Sequence, residues 1–465
     1  MTVHLDALVA EIGSTITSVS AFHRLEDASP EFLGQGSAAT SVLEGDVRIG
    51  LESAVADLEA TLGKKVEYDN FLAASSAAGG LRMSVHGLVK DMTARAAREA
   101  ALGAGANVHL MTAGRMRTSD IDALVNVDPN IILLAGGTDY GERDTALHNA
   151  RLLAAAPLSC PVIYAGNIQN REEVARLFES AGRRLHIVDN VYPGIDELDV
   201  EPARRIIQNV FEEHISHAPG MEHIREMVDG TIIPTPGAVM EAAKLLRDRL
   251  GDLCAVDVGG ATTDVHTVCE DSEEYGRLLT SPEPLAKRTV EGDLGTYVSR
   301  MSVLNAVGDT GARRIADKLS GIGPTEEELI RAVEHLPPIP RTPTEAVLAG
   351  ALAEEAARIA LERHSGRIRT LYGPGGKVRT AEGKDLTGIG LLIATGGALV
   401  RLPDRTGRVR RVLSAMRKDV LSPPAQVDVA FDNDYLMSAC GVLSRQWPDA
   451  AFTILMKSLG LEAPL

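Results

Sequence analysis

Short apolar runs alternate with amphipathic stretches through the first half of the chain, which predicts β-strands alternating with α-helices. Before residue 125 the pattern predicts four strands and two helices: strands at residues 5–10, 18–22, 68–74 and 107–111, helices at 47–62 and 93–102. The alternation then becomes regular: strands are expected at 131–135, 161–164 and 185–188, helices at 144–155, 171–180 and 201–215. Such regular alternation predicts a small parallel α/β unit.

The second half of the chain shows mostly helical periodicity. Helices are expected at residues 238–250, 293–303, 310–319, 325–335, 344–363 and 434–444, and a strand at 427–431. The glycine-rich residues 373–376 predict a loop. Gly136-Gly137 follows an expected strand, which fits either a ligand-binding turn or a tight strand-to-helix turn.

One short pattern occurs twice. Residues 11–19 read Glu-Ile-Gly-Ser-Thr-Ile-Thr-Ser-Val, and residues 257–265 read Asp-Val-Gly-Gly-Ala-Thr-Thr-Asp-Val. Each copy lies between two apolar runs, which predicts a strand, a tight glycine turn and a second strand. The acid can hold Mg²⁺, and the small residues let backbone N–H groups approach an anion. Two such hairpins facing each other would hold the phosphates of one nucleotide.

The repeated pattern points to phosphoryl transfer or hydrolysis, which depends on neutralising and positioning charge. Glu11 and Asp257 are predicted to hold Mg²⁺, and Asp257 or Asp264 to orient the attacking water. The predicted phosphate contacts are Gly13, Ser14, Thr15 and Thr17 in the first copy and Gly259, Gly260, Ala261 and Thr262 in the second. An ordinary strand role remains open for Thr17 and for Thr263.

A further dense group of acids and glycines lies at residues 288–295. Glu291 and Asp293 open an expected helix there. They fit either a helix cap, because acids favour a helix N-terminus, or part of the nucleotide site.

Composition narrows the class of protein. The 465 residues predict two or three domains, and no apolar run approaches the roughly 20 residues that span a bilayer. The first residues lack a basic segment followed by an apolar core, which predicts no signal peptide. The net charge of −17 argues against nucleic acid as a partner, and the basic cluster at residues 401–418 fits a solvated helix face better than a partner-binding or phosphate-binding patch.

The cysteines add a prediction about the cell compartment. Cys160, Cys254, Cys269 and Cys440 form no Cys-x-x-Cys pair, so no zinc or iron–sulfur site is expected, and Cys254 fits a buried apolar position. We expect a cytoplasmic protein that does not contact membranes.

The two hairpin motifs resemble the phosphate loops of the actin, heat-shock chaperone and sugar kinase superfamily. That superfamily has a third element, a strand ending in Gly-Gly that contacts adenosine, and residues 388–398 fit it in the expected order. The resemblance implies an α/β fold with duplicated ribonuclease-H-like, actin-type ATPase lobes. It also implies ATP and Mg²⁺ as ligands, with Gly396, Gly397 and Ala398 at the adenosine.

Further segments resemble the MutL-type accessory family that is encoded beside adenosylcobalamin-dependent glutamate mutase. They are residues 130–137, 161–167, 234–239 and 288–295, and with the hairpins they extend the resemblance over essentially the whole chain. The resemblance implies an ATP-dependent reactivator, related to the large subunits of diol dehydratase reactivases. Such a protein would bind ATP or ADP and the subunits of the mutase, and would release damaged cobalamin from it.

Two departures from the family pattern bear on turnover. Glu11 replaces the usual Asp, and Ser18 lies near the place of a common Lys. The missing cation would weaken contact with the phosphates, so ATP binding is expected to be retained better than fast hydrolysis. A small-molecule kinase of the same fold and a non-catalytic actin-like scaffold remain alternative functions.

The order of the motifs predicts three parts. The first ATPase lobe is expected at residues 1–129, completed by 426–465, and the second at 217–425. The α/β unit at 130–216 would be an insertion between them and is the expected partner-binding region.

Overall fold

The computed structural model describes residues 2–13, 16–41, 46–76, 81–104, 106–195, 197–216, 222–280, 282–319, 325–373 and 376–462. The chain divides into two compact units. The first comprises Met1–Ala242 and Ser438–Ile454, and the second comprises Ala243–Met437 and Leu455–Leu465.

The strands of the described residues are β1 (Thr2–Ile12), β2 (Ile16–His23), β3 (Glu31–Ala39), β4 (Lys65–Ser75), β5 (Arg82–Gly87), β6 (Asn107–Ala113), β7 (Ile131–Leu134), β8 (Val162–Tyr164), β9 (Leu185–Ile187), β10 (Ile233–Pro234), β11 (Leu253–Val258), β12 (Thr263–Val268), β13 (Ala286–Glu291), β14 (Arg367–Gly373), β15 (Gly376–Glu382), β16 (Leu391–Thr395) and β17 (Asp428–Phe431).

The helices are α1 (Val47–Leu62), α2 (Arg95–Gly103), α3 (Thr118–Val127), α4 (Asp144–Ala155), α5 (Arg171–Ser180), α6 (Glu201–Ser216), α7 (Glu222–Met227), α8 (Thr235–Leu250), α9 (Glu273–Gly276), α10 (Arg300–Asp317), α11 (Glu326–Glu334), α12 (Pro343–His364), α13 (Gly397–Val400), α14 (Arg405–Ser414), α15 (Met437–Leu443) and α16 (Pro448–Leu459). None of the described helices is long and apolar enough to cross a bilayer.

The two units contain the same five-stranded mixed sheet. In the first unit the order is β10-β4-β1-β2-β3, and in the second it is β17-β16-β11-β12-β13. In both sheets the two hairpin strands are antiparallel to each other, and the following strand, β3 or β13, is antiparallel to the second hairpin strand. The two remaining strands run parallel to the first strand of the hairpin. Because strand order and direction both repeat, the predicted duplicated α/β fold of the actin type is confirmed.

A third, fully parallel sheet in the first unit has the order β6-β5-β7-β8-β9. Counted along the chain, this is the doubly wound order 2-1-3-4-5. The strands and helices expected between residues 131 and 215 are all present. The sheet also contains β5 and β6, so it begins before residue 130, and the boundaries of an inserted domain stay a prediction.

The hydrophobic pattern misses β5 because two of its buried residues are polar. Ser84 and His86 are fully buried. The two ring nitrogens of His86 lie 2.8 Å from the Thr112 hydroxyl and 3.1 Å from the Ser84 hydroxyl, so each polar group has a partner. Burial lowers the pKa of His86 to about 4.

The helix expected at residues 293–303 is wrong over its first half. Residues 292–299 form turns, and α10 begins only at Arg300. The helix then continues to Asp317 with a break at Gly308, whose φ of 61° and ψ of −173° are not helical. The break occurs at a glycine because glycine adopts this conformation at low cost. It lies between the helices that the sequence predicts at residues 293–303 and 310–319.

The loop expected at residues 373–376 lies between two paired strands, so it is a hairpin connection. Gly373 ends β14 and Gly376 begins β15, while residues 374–375 lie outside the described part of the chain. The alternation of Arg367, Ile368 and Arg369 is a period-two signal that could have revealed the first strand.

All four cysteines are buried thiols. Cys254 is fully buried in β11, which confirms its predicted apolar role. Burial raises the pKa of Cys160 to about 11 and that of Cys269 to about 12, so neither thiol ionises at neutral pH.

Candidate functional site

The two repeated motifs form hairpins with the same turn. The N–H of Gly13 donates to the carbonyl of Ile16, and the N–H of Gly259 donates to the carbonyl of Thr262, both at 2.9 Å. The acids occupy equivalent places, since Glu11 pairs with Ser18 and Asp257 pairs with Asp264 across their ladders. Ser14 and Thr15, predicted phosphate contacts, lie outside the described residues.

The second turn directs its carbonyl groups toward the chain that follows β13. The hydrogen bonds run from Thr296 N to Gly259 O (3.1 Å), from Tyr297 N and Val298 N to Gly260 O (2.8 and 2.7 Å), and from Ser299 Oγ to Ala261 O (2.8 Å). Within the described residues, the backbone N–H groups of Gly260, Ala261 and Thr262 donate no hydrogen bond. Gly260 and Ala261 are exposed, so their N–H groups are available to an anion.

The Gly-Gly element lies directly beside the second hairpin. β11 and β16 run parallel and place Asp257 next to Thr395, after which Gly396 has a φ of 88° and Gly397 begins α13. A β-carbon on Gly396 would lie 2.4 Å from the carbonyl oxygen of Val258 and 2.6 Å from Oδ1 of Asp257. The structure therefore brings Asp257 and the Gly-Gly element together at the carboxyl edge of this sheet.

Asp264, the second predicted catalytic acid, is engaged in an ion pair. Its Oδ1 accepts hydrogen bonds from the Arg288 guanidinium at 2.5 and 2.9 Å, and its Oδ2 accepts one from Thr262 Oγ1 at 3.1 Å. The Arg288 side chain is almost fully buried, and a buried cation needs such a partner. Asp264 therefore stabilises the hairpin, and its role in orienting water stays a prediction.

Glu291 and Asp293 both contact Arg363 of α12. Arg363 Nη1 donates to Glu291 Oε2 at 2.6 Å and to Asp293 Oδ1 at 2.9 Å. These hydrogen bonds hold the pKa of Asp293 below its usual range. The two acids thus attach the chain after β13 to α12. Arg363 escapes sequence reasoning because it lies about 70 residues from both acids.

The repeated threonines have the strand role that the sequence left open. Thr17 and Thr263 are fully buried. The Thr17 hydroxyl lies 2.9 Å from that of Thr40, and the Thr263 hydroxyl donates to the carbonyl of Leu294 at 2.5 Å. Their side chains therefore form hydrogen bonds within the fold that support the two hairpins.

Several arginines of the basic cluster at residues 401–418 are bound within the second unit, although Arg401, Arg411 and Arg417 remain exposed, as a solvated face predicts. Arg405 stacks on Phe431 with 4.4 Å to the ring centroid, Arg410 donates to two backbone carbonyls, and Arg411 pairs with Glu354 and Asp404. Arg408 is buried and donates to the carbonyls of Ala398 at 3.3 Å and Pro403 at 2.6 Å. Arg408 thereby holds the chain that follows the Gly-Gly element.

A close approach at Gly350 makes room for the buried Arg408. A β-carbon on Gly350 would lie 2.4 Å from Arg408 Nη2. Burial lowers the pKa of Arg408, and the two carbonyls supply the partners that its guanidinium needs. Sequence reasoning included Arg408 in the basic cluster but missed its packing against Gly350, because the pair joins α12 to α14.

The site residues fit magnesium and a phosphate-bearing ligand. Carboxylates of hairpin acids and backbone N–H groups are the groups that hold these ligands in proteins. Among the described residues, no three or more His, Cys, Asp or Glu side chains form a metal-ligand cluster. A single acid with water ligands is the usual arrangement for Mg²⁺, so the fit does not require such a cluster.

Comparison with known proteins identifies the family. The family model "MutL protein" matches residues 7–459. The chain belongs to the MutL protein family. It is 37% identical over 463 residues to Protein MutL of Clostridium tetanomorphum, covering 97% of this chain and 98% of that protein.

Solved structures give weaker similarities. A nucleotide-free acetone carboxylase has a TM-score of 0.40 at 15% identity, covering 95% of this chain and 70% of that one. A glycerol dehydratase reactivase has a TM-score of 0.33 at 12% identity, covering 94% and 99% of the two chains.

Proposed function

We propose that this MutL family member binds ATP with Mg²⁺ and acts as an ATP-dependent reactivating factor for an adenosylcobalamin-dependent mutase of the glutamate mutase type. The observation that carries the nucleotide part is the second hairpin. Its turn presents three N–H groups, and its acid Asp257 lies against Gly396. The mutase part rests on membership of the family together with the resemblance described for the sequence.

The candidates of the second hairpin have defined roles in this proposal. Asp257 would hold Mg²⁺, directly or through water, and would orient the attacking water, and Glu11 is the equivalent metal-ligand candidate of the first hairpin. The N–H groups of Gly260, Ala261 and Thr262 would donate to the phosphates. Gly397 and Ala398 would contact adenosine, since a β-carbon built on Gly397 would have no atom within 4 Å.

Slow turnover is part of the proposal. Ser18 lies directly opposite Glu11 in the first hairpin, so a lysine near this position would place its cation beside the acid. Without that cation, less positive charge meets the phosphates when the negative charge redistributes during hydrolysis. A factor that switches between states of different partner affinity does not need fast hydrolysis.

Calorimetry with ATP and Mg²⁺ tests the nucleotide part. We expect Asp257→Asn to weaken binding at least about tenfold, as expected for loss of one charged metal ligand near 1.4 kcal/mol or more. Asp248→Asn is the matched control, because Asp248 is exposed and lies near the end of α8. Absence of binding heat for every nucleotide, with the parent protein folded, would disprove the proposal.

Phosphate release and cobalamin exchange test the mutase part. We expect phosphate release to rise when glutamate mutase subunits are added, because the partner biases the equilibrium that the nucleotide controls. We also expect ATP to be required for exchange of damaged cobalamin on the inactivated mutase. Stoichiometric phosphorylation of a sugar or carboxylate, with no response to the mutase, would favour the kinase alternative.

A further inference from the structure

Three loops at the carboxyl edge of the parallel sheet form one surface, which we call the three-loop edge. It consists of residues 135–143 after β7, 165–170 after β8 and 188–195 after β9. Neighbouring parallel strands deliver these loops to the same edge, which is where α/β sheets carry their binding sites.

A buried amide network fixes the three loops to one another. The Asn167 amide accepts a hydrogen bond from Tyr140 N and donates to the carbonyls of Gly141 and Glu142, all at 3.3 Å. Asn190 Nδ2 donates to Gly137 O and Asp139 Oδ1, both at 3.0 Å. Both asparagines are almost fully buried, so the edge is rigid before any partner binds.

This rigid edge exposes the two most accessible large apolar side chains among the described residues. Ile195 is 78% exposed and Tyr140 is 76% exposed. Their loops are joined by the hydrogen bond from Asp139 N to Pro193 O at 2.9 Å, and Ile168, 37% exposed, bonds through its N–H to Asp139. The three side chains therefore extend from adjoining loops of the three-loop edge.

Tyr140 also holds a backbone conformation that disfavours it. Its φ of 62° lies in the left-handed region, which costs a non-glycine residue about 1–2 kcal/mol. Such cost is retained where the surroundings fix a conformation, and it concentrates at functional sites. Packing does not account for it, because the side chain contributes little to any core.

Acidic residues border these loops in the sequence. Asp189, Glu197 and Asp199 lie within six residues of Ile195, and Glu142 lies two residues after Tyr140. Burial, then the neighbouring negative charges of Asp189, Glu201 and Glu197, raise the pKa of Asp199. The nearby cations include Arg143, Arg171 and Arg205; Arg171 already pairs with Asp189 at 2.8 Å, and Arg205 lies near Asp199. A partner that covers this surface must therefore bring positive charge.

We propose that the three-loop edge is the docking surface for the mutase, and that it receives a basic surface with an apolar centre. This inference rests on the proposed function, since it takes the mutase as the partner. Tyr140 and Ile195 would enter the apolar centre, and the acidic border would steer the approach of the basic surface.

Biolayer interferometry with purified glutamate mutase subunits tests the inference on the full-length protein. We expect Tyr140→Gly to weaken binding at least about tenfold and the double variant with Ile195→Ser about a hundredfold, which is typical of central interface residues. Glycine also relieves the left-handed backbone, so the loop should stay folded. Ile339→Ser is the matched control, because Ile339 is 71% exposed in the other unit, and it should bind within about twofold of the parent.

Charge reversal gives an independent measurement. We expect Glu197→Lys to slow association, and the difference from the parent to shrink as salt rises, because exposed charges are screened. ATP binding and thermal melting should match the parent for every variant.

The outcomes separate the two proposals. A double variant that binds the mutase within about threefold of a binding parent overturns the docking surface alone. A parent that binds ATP but no mutase overturns the proposed partner, and the docking surface with it. A parent that dimerises, with a double variant that does not, makes a second copy the occupant and also overturns the inference.

Discussion

The substitutions Gly396→Ala and Gly397→Ala should act on different properties although the residues are adjacent. An alanine at residue 396 must adopt a φ of 88°, which costs about 1–2 kcal/mol. Its β-carbon would also lie 2.4 Å from the Val258 carbonyl, and overpacking of this kind costs about 1–3 kcal/mol. Together these effects lower the free energy of unfolding by about 2–5 kcal/mol.

The magnitude translates into a clear shift in melting temperature. For a unit of this size about 1 kcal/mol corresponds to about 2–4 °C, so Gly396→Ala should melt between about 4 and 20 °C below the parent. Gly397 begins a helix, and a β-carbon there would meet no atom within 4 Å. Gly397→Ala should therefore melt within about 3 °C of the parent.

Nucleotide binding should instead respond to the substitution that leaves stability nearly unchanged. Gly397→Ala should weaken ATP binding at least about tenfold, because its methyl group enters space proposed for adenosine. Differential scanning fluorimetry and calorimetry on the three proteins measure both properties. An unchanged melting temperature for Gly396→Ala would refute the packing argument, and unchanged ATP affinity for Gly397→Ala would refute the adenosine contact.

Three further outcomes follow from other contacts. Arg363→Met should raise the pKa of Asp293 toward its ordinary value, measured by NMR titration, because its hydrogen-bond donor is lost. Gly350→Ala should destabilise by about 1–3 kcal/mol in urea, since the buried guanidinium behind it must move; an unchanged midpoint would contradict this. Burial lowers the pKa values of His86 and His266 to about 4 and about 3, so the unfolded state binds more protons below about pH 6.5. Stability should therefore fall by about 1.4 kcal/mol per pH unit per histidine between pH 6 and 4.5, and equal urea midpoints at pH 7 and 5 would exclude it.

Local patterns revealed the two hairpins, the Gly-Gly element and the strand–helix alternation between residues 131 and 215. These features depend on neighbours in sequence: an acid and a glycine after an apolar run, or a change of hydrophobic period. The strand β5 was hidden because His86 and Ser84 satisfy each other inside the sheet. Polar residues such as these predict an exposed segment, and only the fold shows that Thr112 of the neighbouring strand is a partner of His86.

The contacts of several candidate site residues could not be predicted, because each partner is distant in sequence. Asp264 is a catalytic candidate by its place in the motif, and the structure adds its ion pair with the buried Arg288. Glu291 and Asp293 are candidates for a ligand site or a helix cap, and the structure adds Arg363 as a partner of both. Ion pairs between separate elements leave no periodic signal, so only the fold reveals them.

The parallel sheet also changes one experiment that the sequence suggests. Removing residues 130–216 would take away β7, which pairs with β5 along its length. Such a deletion would expose the edge of β5 inside the first unit, so loss of function could not be assigned to a partner surface. Point substitutions on the three-loop edge avoid this problem.

The first unit is built from two separate chain segments, and this affects when it can fold during synthesis. Its segment Ser438–Ile454 leaves the ribosome roughly 200 residues after Ala242, a delay of about 10–40 s at ordinary rates of translation. Gly441 packs so closely on α8 that a β-carbon there would overlap the carbonyl of Ala238. Until that late helix arrives, Ala238 of α8 lacks this contact, so the first unit cannot complete it before most of the second unit has been synthesised.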